Sequence, residues 1–382
     1  MSSLSSYHRA TWALLTSLTV ASCSGVIEEP RLDEVDESDE DETDESTDGG
    51  RPANDARVPG RDATPPSGRD AGGSSSGGNY RVEKGVLYDG CGEEVVLRGV
   101  NHPTIYVDRA GKAMPEIART GANTVRLFWF GTHGVSIDEA EASIEAALEN
   151  GMLPMLELHD STCKWELGPI VDYWTSSDAV ALIKRHEKHL LLNIANEASP
   201  PDGERFKQGY RDAVARMREA GIHVPLVIDG GRCGRDAQML LDNGADLIDD
   251  DPDHNLIFSA HLYDPLSESQ LGDLFDSFKQ LDLPFIIGEL AHRQPPGCGS
   301  QLNYQAMLSE AERTNIGWLA WSWGDDNPAT LWNTDCGEFD MTSTFSFDSL
   351  QGWGKEVALS LEGSLEKAAV RPYSLTHDDS CE

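Results

Sequence analysis

Two glutamates close short apolar runs in this chain. Segment 190–196, LLLNIAN, leads into Glu197, and segment 285–288, FIIG, leads into Glu289. A short apolar run between polar stretches reads as a parallel strand buried on both faces, so each carboxylate is expected at a strand's C-terminal end. Two carboxylates facing one another across the mouth of a β/α barrel are what hydrolysis of a glycosidic bond requires. One protonates the leaving oxygen while the other attacks the anomeric carbon or activates water. The pair stands ninety-two positions apart, which leaves room for about three strand–helix units between them.

The strands that would carry such a pair recur at regular intervals. Apolar runs cover residues 95–100, 124–128, 153–159, 190–196, 225–229, 256–261, 284–289 and 317–323, eight in all. Amphipathic segments lie between them. Phe206, Tyr210, Val214 and Met217 fall on one helical face, charged Arg211, Arg216 and Arg218 fall off its centre, and Gly221 is a suitable left-handed stop. Eight strands alternating with helices define an α/β chain forming an eight-stranded TIM (β/α) barrel over 80–376. An open dinucleotide fold would need an early G-x-G-x-x-G, and none is present. Segment 82–87, with Cys91, reads as a hairpin closing the barrel bottom. Segment 330–352 reads as an irregular aromatic loop and 353–366 as a last helix.

Barrel active sites form where strands end. The residues at those ends are Asn101 and His102, Arg126, His159 and Asp160, Asn196 and Glu197, His261 and Tyr263, Glu289, and Trp321 and Trp323. A lone strand-end glutamate is usually a structural ion pair; here the whole set is compatible with one task. An Asn can donate to a sugar hydroxyl, Arg and Tyr can hold one carboxylate ionised, and indole faces make platforms for pyranose rings. One carboxylate beside another is expected to have its pKa raised, while the Arg or Tyr donor lowers its partner's.

With LRGVNHP near the first strand, NIANEA around Glu197, IIGELAHR around Glu289 and GWLAWSW near the last strand, the chain resembles glycoside hydrolase family 5. More narrowly it resembles the bacterial endo-β-1,4-mannanase branch, in which GVNHP, VRL, L-E-x-H-D, NIANE, H-x-Y, IGE-x-x-HR and LAWSW follow in this order. The resemblance covers 95–323. It implies retaining cleavage of β-1,4-mannosidic bonds in mannan or glucomannan, with Glu197 as acid/base and Glu289 as nucleophile. Asn196 would meet the sugar 2-hydroxyl, Arg126 and Tyr263 would steady Glu289, and His159 and His261 would line the pocket. Trp321 would floor the cleavage subsite, with His102 and Trp323 among the substrate-binding residues. It implies no cofactor and a monomer.

Departures from that pattern fall in cleft-forming loops. Ala198 replaces a common Pro, and Phe128-Trp129-Phe130-Gly131 replaces a more polar loop. Segment 230–234, GGRCG, puts Arg232 and Cys233 where an aromatic often stands. Asp264 replaces a Glu, and Gln294-Pro295-Pro296 a polar stretch. Trp129, Trp165, Trp174 and Trp332 are either distal sugar platforms or core residues. An endo-β-1,4-glucanase of the same family is the alternative activity, and a non-catalytic polysaccharide-binding surface lipoprotein the alternative class. A metal-dependent hydrolase built on His102, His159 and His261 is disfavoured by the lack of H-x-H on the first strand, and no metal site is assigned. An esterase is disfavoured because G-x-S-x-G is missing. The acids Asp249–Asp251 and Asp253 read as a solvated turn, with calcium as the lesser reading.

The N-terminus reads as an address. His8 and Arg9 precede a twelve-residue largely apolar run, 10–21, too short to span a bilayer. Val20-Ala21-Ser22-Cys23 resembles a bacterial lipoprotein signal, which implies lipidation of Cys23, export, and a membrane association made only through that lipid; ordinary cleavage and secretion is the alternative. Residues 24–79 read as a disordered tether, since 28–48 carries thirteen acids against one base and 72–78 is GGSSSGG. The formal charge is −36, and about −24 remains outside that acidic run, which argues against nucleic acid as a partner. Beyond Cys23 there are six cysteines, Cys91, Cys163, Cys233, Cys298, Cys336 and Cys381. In an exported protein they suggest up to three disulfides, with fifteen possible pairings that sequence leaves open.

Overall fold

All eight apolar runs become parallel strands of one closed barrel. The computed structural model describes residues 77–131, 136–294, 300–324 and 339–381. A hairpin of β1 (Arg81–Glu83) and β2 (Val86–Tyr88) comes first. The barrel strands are β3 (Arg98–His102), β4 (Thr124–Trp129), β5 (Leu153–Leu158), β6 (Leu191–Asn193), β7 (Leu226–Asp229), β8 (Leu256–His261), β9 (Phe285–Leu290) and β10 (Gly317–Ala320). They pair in sequence order, and β10 closes onto β3. The first strand starts three residues later than its apolar run because Val95 pairs back on the hairpin, donating its N–H to the Leu87 carbonyl at 2.8 Å. Strand β6 stops at Asn193, short of Asn196, as the chain begins the turn that carries Glu197.

Several of the helices start where a side chain satisfies their free N–H groups. Asp202 caps Gly203–Glu219, Asp236 caps Ala237–Asp250, Asn303 caps Tyr304–Thr314, and Ser267 with Gln270 forms a capping box on Glu268–Gln280. The first of these buries the expected Phe206, Tyr210, Val214 and Met217 and ends at left-handed Gly221. Arg218 departs from expectation. It is buried, pairs with Asp251 at 2.8 and 2.9 Å and donates to the Ile222 and Val224 carbonyls. The 249–253 acids are therefore not simply a solvated turn or a cation loop: Asp251 serves Arg218, and Asp253 meets Arg218 and His223. The expected last helix is broken into Gly352–Lys355, a π-helical turn Glu356–Ser360 and Leu365–Ala368.

The barrel floor is apolar. Leu97, Leu153, Met155, Leu191, Val227, Ile257, Ile286 and Leu319 form one buried cluster that Tyr80 and Leu87 cap from the hairpin side, as the hairpin reading expected. The C-terminus is tied to that hairpin by the Cys91–Cys381 disulfide and by the bond from Gly77 N–H to the Asp379 carbonyl, past the expected boundary at 376. The signal segment, Cys23, the tether to residue 76, Trp332, Cys298 and Cys336 lie outside the described residues.

Asp89 holds this closure together. Its buried carboxylate accepts the N–H groups of Cys91 (2.9 Å), Glu93 (2.9 Å) and Ser374 (2.7 Å). Asp89→Ala strands those donors and should cost about 2–4 kcal/mol, read as a lower denaturant midpoint at unchanged slope. Wild-type stability in that variant would refute the anchoring role.

Candidate active site

Every second residue along a barrel strand points inward. From the apolar floor upward, those positions turn polar: Met155 is followed by Glu157, Leu191 by Asn193, Val227 by Asp229, and Ile257 by Ser259 and His261. Arg126 on β4 rises among them, 1 % exposed. It donates to Asn101 Oδ1 (3.0 Å), Asn193 Oδ1 (2.7 and 3.1 Å), Asn196 Oδ1 (2.7 Å) and Glu289 Oε1 (2.9 Å). Glu157 and Asp229 approach it at 3.8 and 3.7 Å, and its guanidinium lies 5.5 Å from the Phe128 ring centroid.

Glu289 reaches the interior through a local irregularity. Ile286 belongs to the inner cluster, so strict alternation would place Gly288 inward and Glu289 outward. The β8–β9 register shifts at this point, pairing Ala260 with Ile287 but His261 with Glu289, and such a bulge re-aims a side chain. Gly288 permits the close approach: a Cβ there would lie 2.2 Å from Ser259 Oγ. Glu289 then accepts from Arg126 through Oε1 and from the Tyr263 hydroxyl through Oε2 at 2.8 Å.

Glu197 is aimed by its backbone. Its φ of 51° lies in the left-handed region, which costs a non-glycine residue about 1 kcal/mol or more and survives because neighbours fix it. Its N–H donates to Asp229 Oδ2 (3.0 Å), and its carbonyl accepts from Cys163 N–H (3.2 Å) and the Ser199 hydroxyl (3.1 Å). Glu197 Oε1 lies 2.9 Å from His261 Nδ1, which is also 3.3 Å from Glu289 Oε2. One ligating atom from each of Glu197, His261 and Glu289 fits within 4.8 Å of the others.

Burial pushes the Glu197 carboxyl up to about 8; Asp229 and Glu157 add to this, and His159 and Arg126 oppose it. Burial also pushes Glu289 up, to about 7, against His261, Arg126 and the Tyr263 hydrogen bond and with help from Glu197. The expected lowering of Glu289 is thus outweighed by burial, yet the order survives because its donors hold it below Glu197. Burial lowers His261, with Glu289 and Asp229 opposing the shift. Burial also works against the Arg126 charge, but Glu157, Glu289, Asp229 and Glu197 together hold it above its ordinary value. Between about pH 7 and 8 the arrangement can present a proton on Glu197 beside an ionised Glu289. The same three side chains could ligate a cation, but it would sit beside the Arg126 guanidinium.

Most of the expected site residues converge. Asn196 bridges Arg126 and Thr162, donating to Thr162 Oγ1 at 2.8 Å. His159 Nδ1 is 2.8 Å from Glu157 Oε1, and its ring lies near-parallel to Phe128 (4.7 Å between centroids), which also stacks on Trp321 (5.0 Å). Two expectations fail. His102 is fully buried with both ring nitrogens engaged, by the Trp323 carbonyl and by Asp108 (3.2 Å each), and Trp323 is fully buried with its indole N–H on the Phe345 carbonyl. Both brace the rim rather than face a ligand. Trp129 and Trp174 are likewise core residues, and Trp165 packs edge-on against Tyr210. Sequence reading missed Glu157, Asn193 and Asp229, which complete the Arg126 network. Their signal was a polar residue at inward parity within an otherwise apolar strand.

The profile of the Cellulase family (glycosyl hydrolase family 5) matches residues 88–327. A mannan endo-1,4-beta-mannosidase of Salipaludibacillus agaradhaerens is 32% identical over 314 residues, covering 79% of this chain and 97% of the relative. The solved beta-mannanase of Thermomonospora fusca superposes with a TM-score of 0.71 at 27% identity, covering 78% of this chain and 99% of that one. A beta-mannanase from Streptomyces thermolilacinus with mannohexaose gives a TM-score of 0.70 at 28% identity, covering 79% and 99%.

The two carboxyls should titrate as a coupled unit. Activity as kcat/KM is expected to rise as Glu289 ionises near pH 7 and fall as Glu197 loses its proton near pH 8. Tyr263→Phe removes a donor that holds the Glu289 pKa down, so the acidic limb should move to higher pH. An unmoved acidic limb would contradict this electrostatic account.

Proposed function

Because the chain belongs to glycoside hydrolase family 5, in its mannan endo-1,4-beta-mannosidase branch, we propose that it cleaves internal β-1,4-mannosidic bonds with retention of configuration. The observation that carries the mechanism is the spacing. An oxygen of Glu197 and one of Glu289 lie within 4.8 Å, which supports the retaining reading, with carboxyls about 5–5.5 Å apart, over an inverting route at about 6.5–9.5 Å.

In this reading Glu289, with both oxygens engaged by Arg126 and Tyr263, attacks the anomeric carbon. Glu197 gives its proton to the leaving oxygen and then takes one from the water that hydrolyses the glycosyl–enzyme ester. A neutral His261 with its own proton on Nε2, 3.5 Å from Asp229 Oδ2, can accept the Glu197 O–H at Nδ1 and so favour the acid form. Trp321, stacked on Phe128 and with no protein partner for its indole N–H among the described residues, is the proposed floor for the cleaved sugar. The substrate assignment rests on the relatives, which include solved beta-mannanases in complex with mannotriose and mannohexaose. A β-1,4-glucanase is the second reading, favoured by a 27% identical relative named beta-mannanase/endoglucanase A, from Caldicellulosiruptor saccharolyticus.

Disulfides are the chemistry of an oxidising compartment. The Cys91–Cys381 and Cys163–Cys233 pairs therefore support an exported protein, with Cys23 as its proposed lipid attachment. Mass spectrometry of the mature N-terminus tests that anchor, and an unmodified start elsewhere would remove it.

The full-length protein should release reducing sugar from linear mannan and glucomannan in preference to carboxymethylcellulose. Cleavage of the glucan alone would move the substrate to the second reading. Glu197→Ala should lose about 10²–10⁴-fold on mannan. Glu289→Ala should lose turnover, with azide restoring it to give product of inverted configuration; near-wild-type rates in either variant would overturn the assignment.

A further inference from the structure

Glu197 sits in the turn that follows strand β6, and the two neighbours of β6 in the barrel are β5 and β7. The loops that follow those neighbours are joined to each other by the Cys163–Cys233 disulfide, with a Cα–Cα distance of 4.5 Å. Both ends of this crosslink also grip the turn between them. Cys163 donates its N–H to the Glu197 carbonyl at 3.2 Å, and the next residue, Lys164, accepts the Ser199 N–H at 2.9 Å. Cys233 donates its N–H to Ser199 Oγ at 2.6 Å, and that hydroxyl donates in turn to the Glu197 carbonyl at 3.1 Å. The sulfur of Cys163 lies 3.9 Å from Glu197 Oε2.

The β7 side of the crosslink reaches the partner of Glu197 as well. Gly234, directly after Cys233, accepts the His261 N–H through its carbonyl at 2.8 Å. A Cβ on Gly234 would lie 2.7 Å from His261 Nδ1 and 3.2 Å from Glu197 Cγ, so the loop backbone is pressed against both side chains. The backbone here is held away from ordinary helix or strand geometry, with φ of 58° at Cys163, 51° at Glu197, 53° at Arg232 and 56° at Cys233. Four left-handed non-glycine residues clustered about one carboxylate need an external constraint to persist, and the crosslink supplies one.

We propose that the Cys163–Cys233 disulfide is a strap that positions Glu197 for proton transfer: by joining the two flanking loops across the β6 turn, it fixes the carboxyl against His261 and over the bond to be broken. The two cysteines are positioning residues and contribute no atom to the reaction. This rests on the two-glutamate reading above. It also gives a physical meaning to Cys233, which stands where an aromatic is common in the resembling branch. A crosslink there replaces ring packing as the means of holding the loop.

The test compares two substrates that differ in their need for an acid, using full-length protein. Cleavage of 2,4-dinitrophenyl β-mannobioside has a leaving group that needs little protonation, whereas mannotetraose needs full protonation. In Cys163→Ser/Cys233→Ser, kcat/KM should fall about 10- to 100-fold on mannotetraose and stay within about threefold on the dinitrophenyl substrate. The alkaline limb of the pH profile should move to lower pH as water reaches Glu197. Cys91→Ser/Cys381→Ser, which cuts the crosslink at the barrel floor, should leave the ratio of the two substrates unchanged. Should the first double variant not fold, the same ratio is read on the Cys91→Ser/Cys381→Ser enzyme before and after dithiol reduction, with alkylation mapping confirming free Cys163 and Cys233. Equal losses on both substrates, or no loss on either, would overturn the strap while leaving the two-glutamate reading in place. A wild-type enzyme silent on both substrates would remove that reading and the strap with it.

Discussion

The site is organised around one buried cation. Arg126 is enclosed by side chains from β3, β5, β6, β7 and β9, and its hydrogen bonds end on Asn101, Asn193, Asn196 and Glu289. A guanidinium stripped of water is tolerable only when its donors and its charge are met by fixed partners. The carboxylates Glu157, Asp229, Glu197 and Glu289 meet the charge, and the three asparagines meet the remaining donors. The converse also holds. Several carboxylates crowded into a dry barrel mouth would repel one another, and one positive charge among them leaves the cluster short of full neutralisation. A retained proton makes up part of the difference, and the sequence of donors decides where it stays.

That division comes from geometry more than from residue type. Both glutamates are buried and both are pushed upward by burial, but Glu289 accepts hydrogen bonds from Arg126 and the Tyr263 hydroxyl, while Glu197 meets the His261 imidazole. Two backbone departures create the difference: a register shift that turns Glu289 inward, and a left-handed residue at Glu197 that turns its side chain over the mouth. Each is paid for locally, by Gly288 in the first case and by the hydrogen bonds of Asp229, Cys163 and Ser199 in the second.

Much of this was legible in the sequence. Strands buried on both faces need no alternation, so they stand out as continuous apolar runs, and all eight were found with their order. Glu197, Glu289 and Tyr263 were legible because they sit at or just beyond the ends of such runs, and Arg126 because it is a lone charge inside one, in the V-R-L that matches the resembling branch. Glu157 and Asn193 were not, because each reads as an isolated polar interruption until barrel parity assigns it an inward direction, and Asp229 ends its run with no motif around it to mark it. His102 and Trp323 show the opposite error. A strand-end position puts a side chain near the rim, but Asp108, six residues past His102, and the Phe345 carbonyl, in the irregular stretch past Trp323, turn these two into braces. Arg218 was misplaced because helical spacing cannot see Asp251, just past the end of the next helix. The disulfides pair cysteines 70 and 290 residues apart, a distance over which local pattern carries no information.

The central claim is that Glu289, steadied by Arg126 and Tyr263, forms the covalent bond to the sugar. The most direct measurement is to incubate the enzyme with a 2-deoxy-2-fluoro-β-mannosyl fluoride, which slows breakdown of a glycosyl–enzyme intermediate, and to map the labelled peptide by mass spectrometry. The account predicts one fluorosugar per chain, ester-linked to Glu289 and released on adding an acceptor sugar. A label on Glu197, Glu157 or Asp229, or inactivation with no label anywhere, would contradict it.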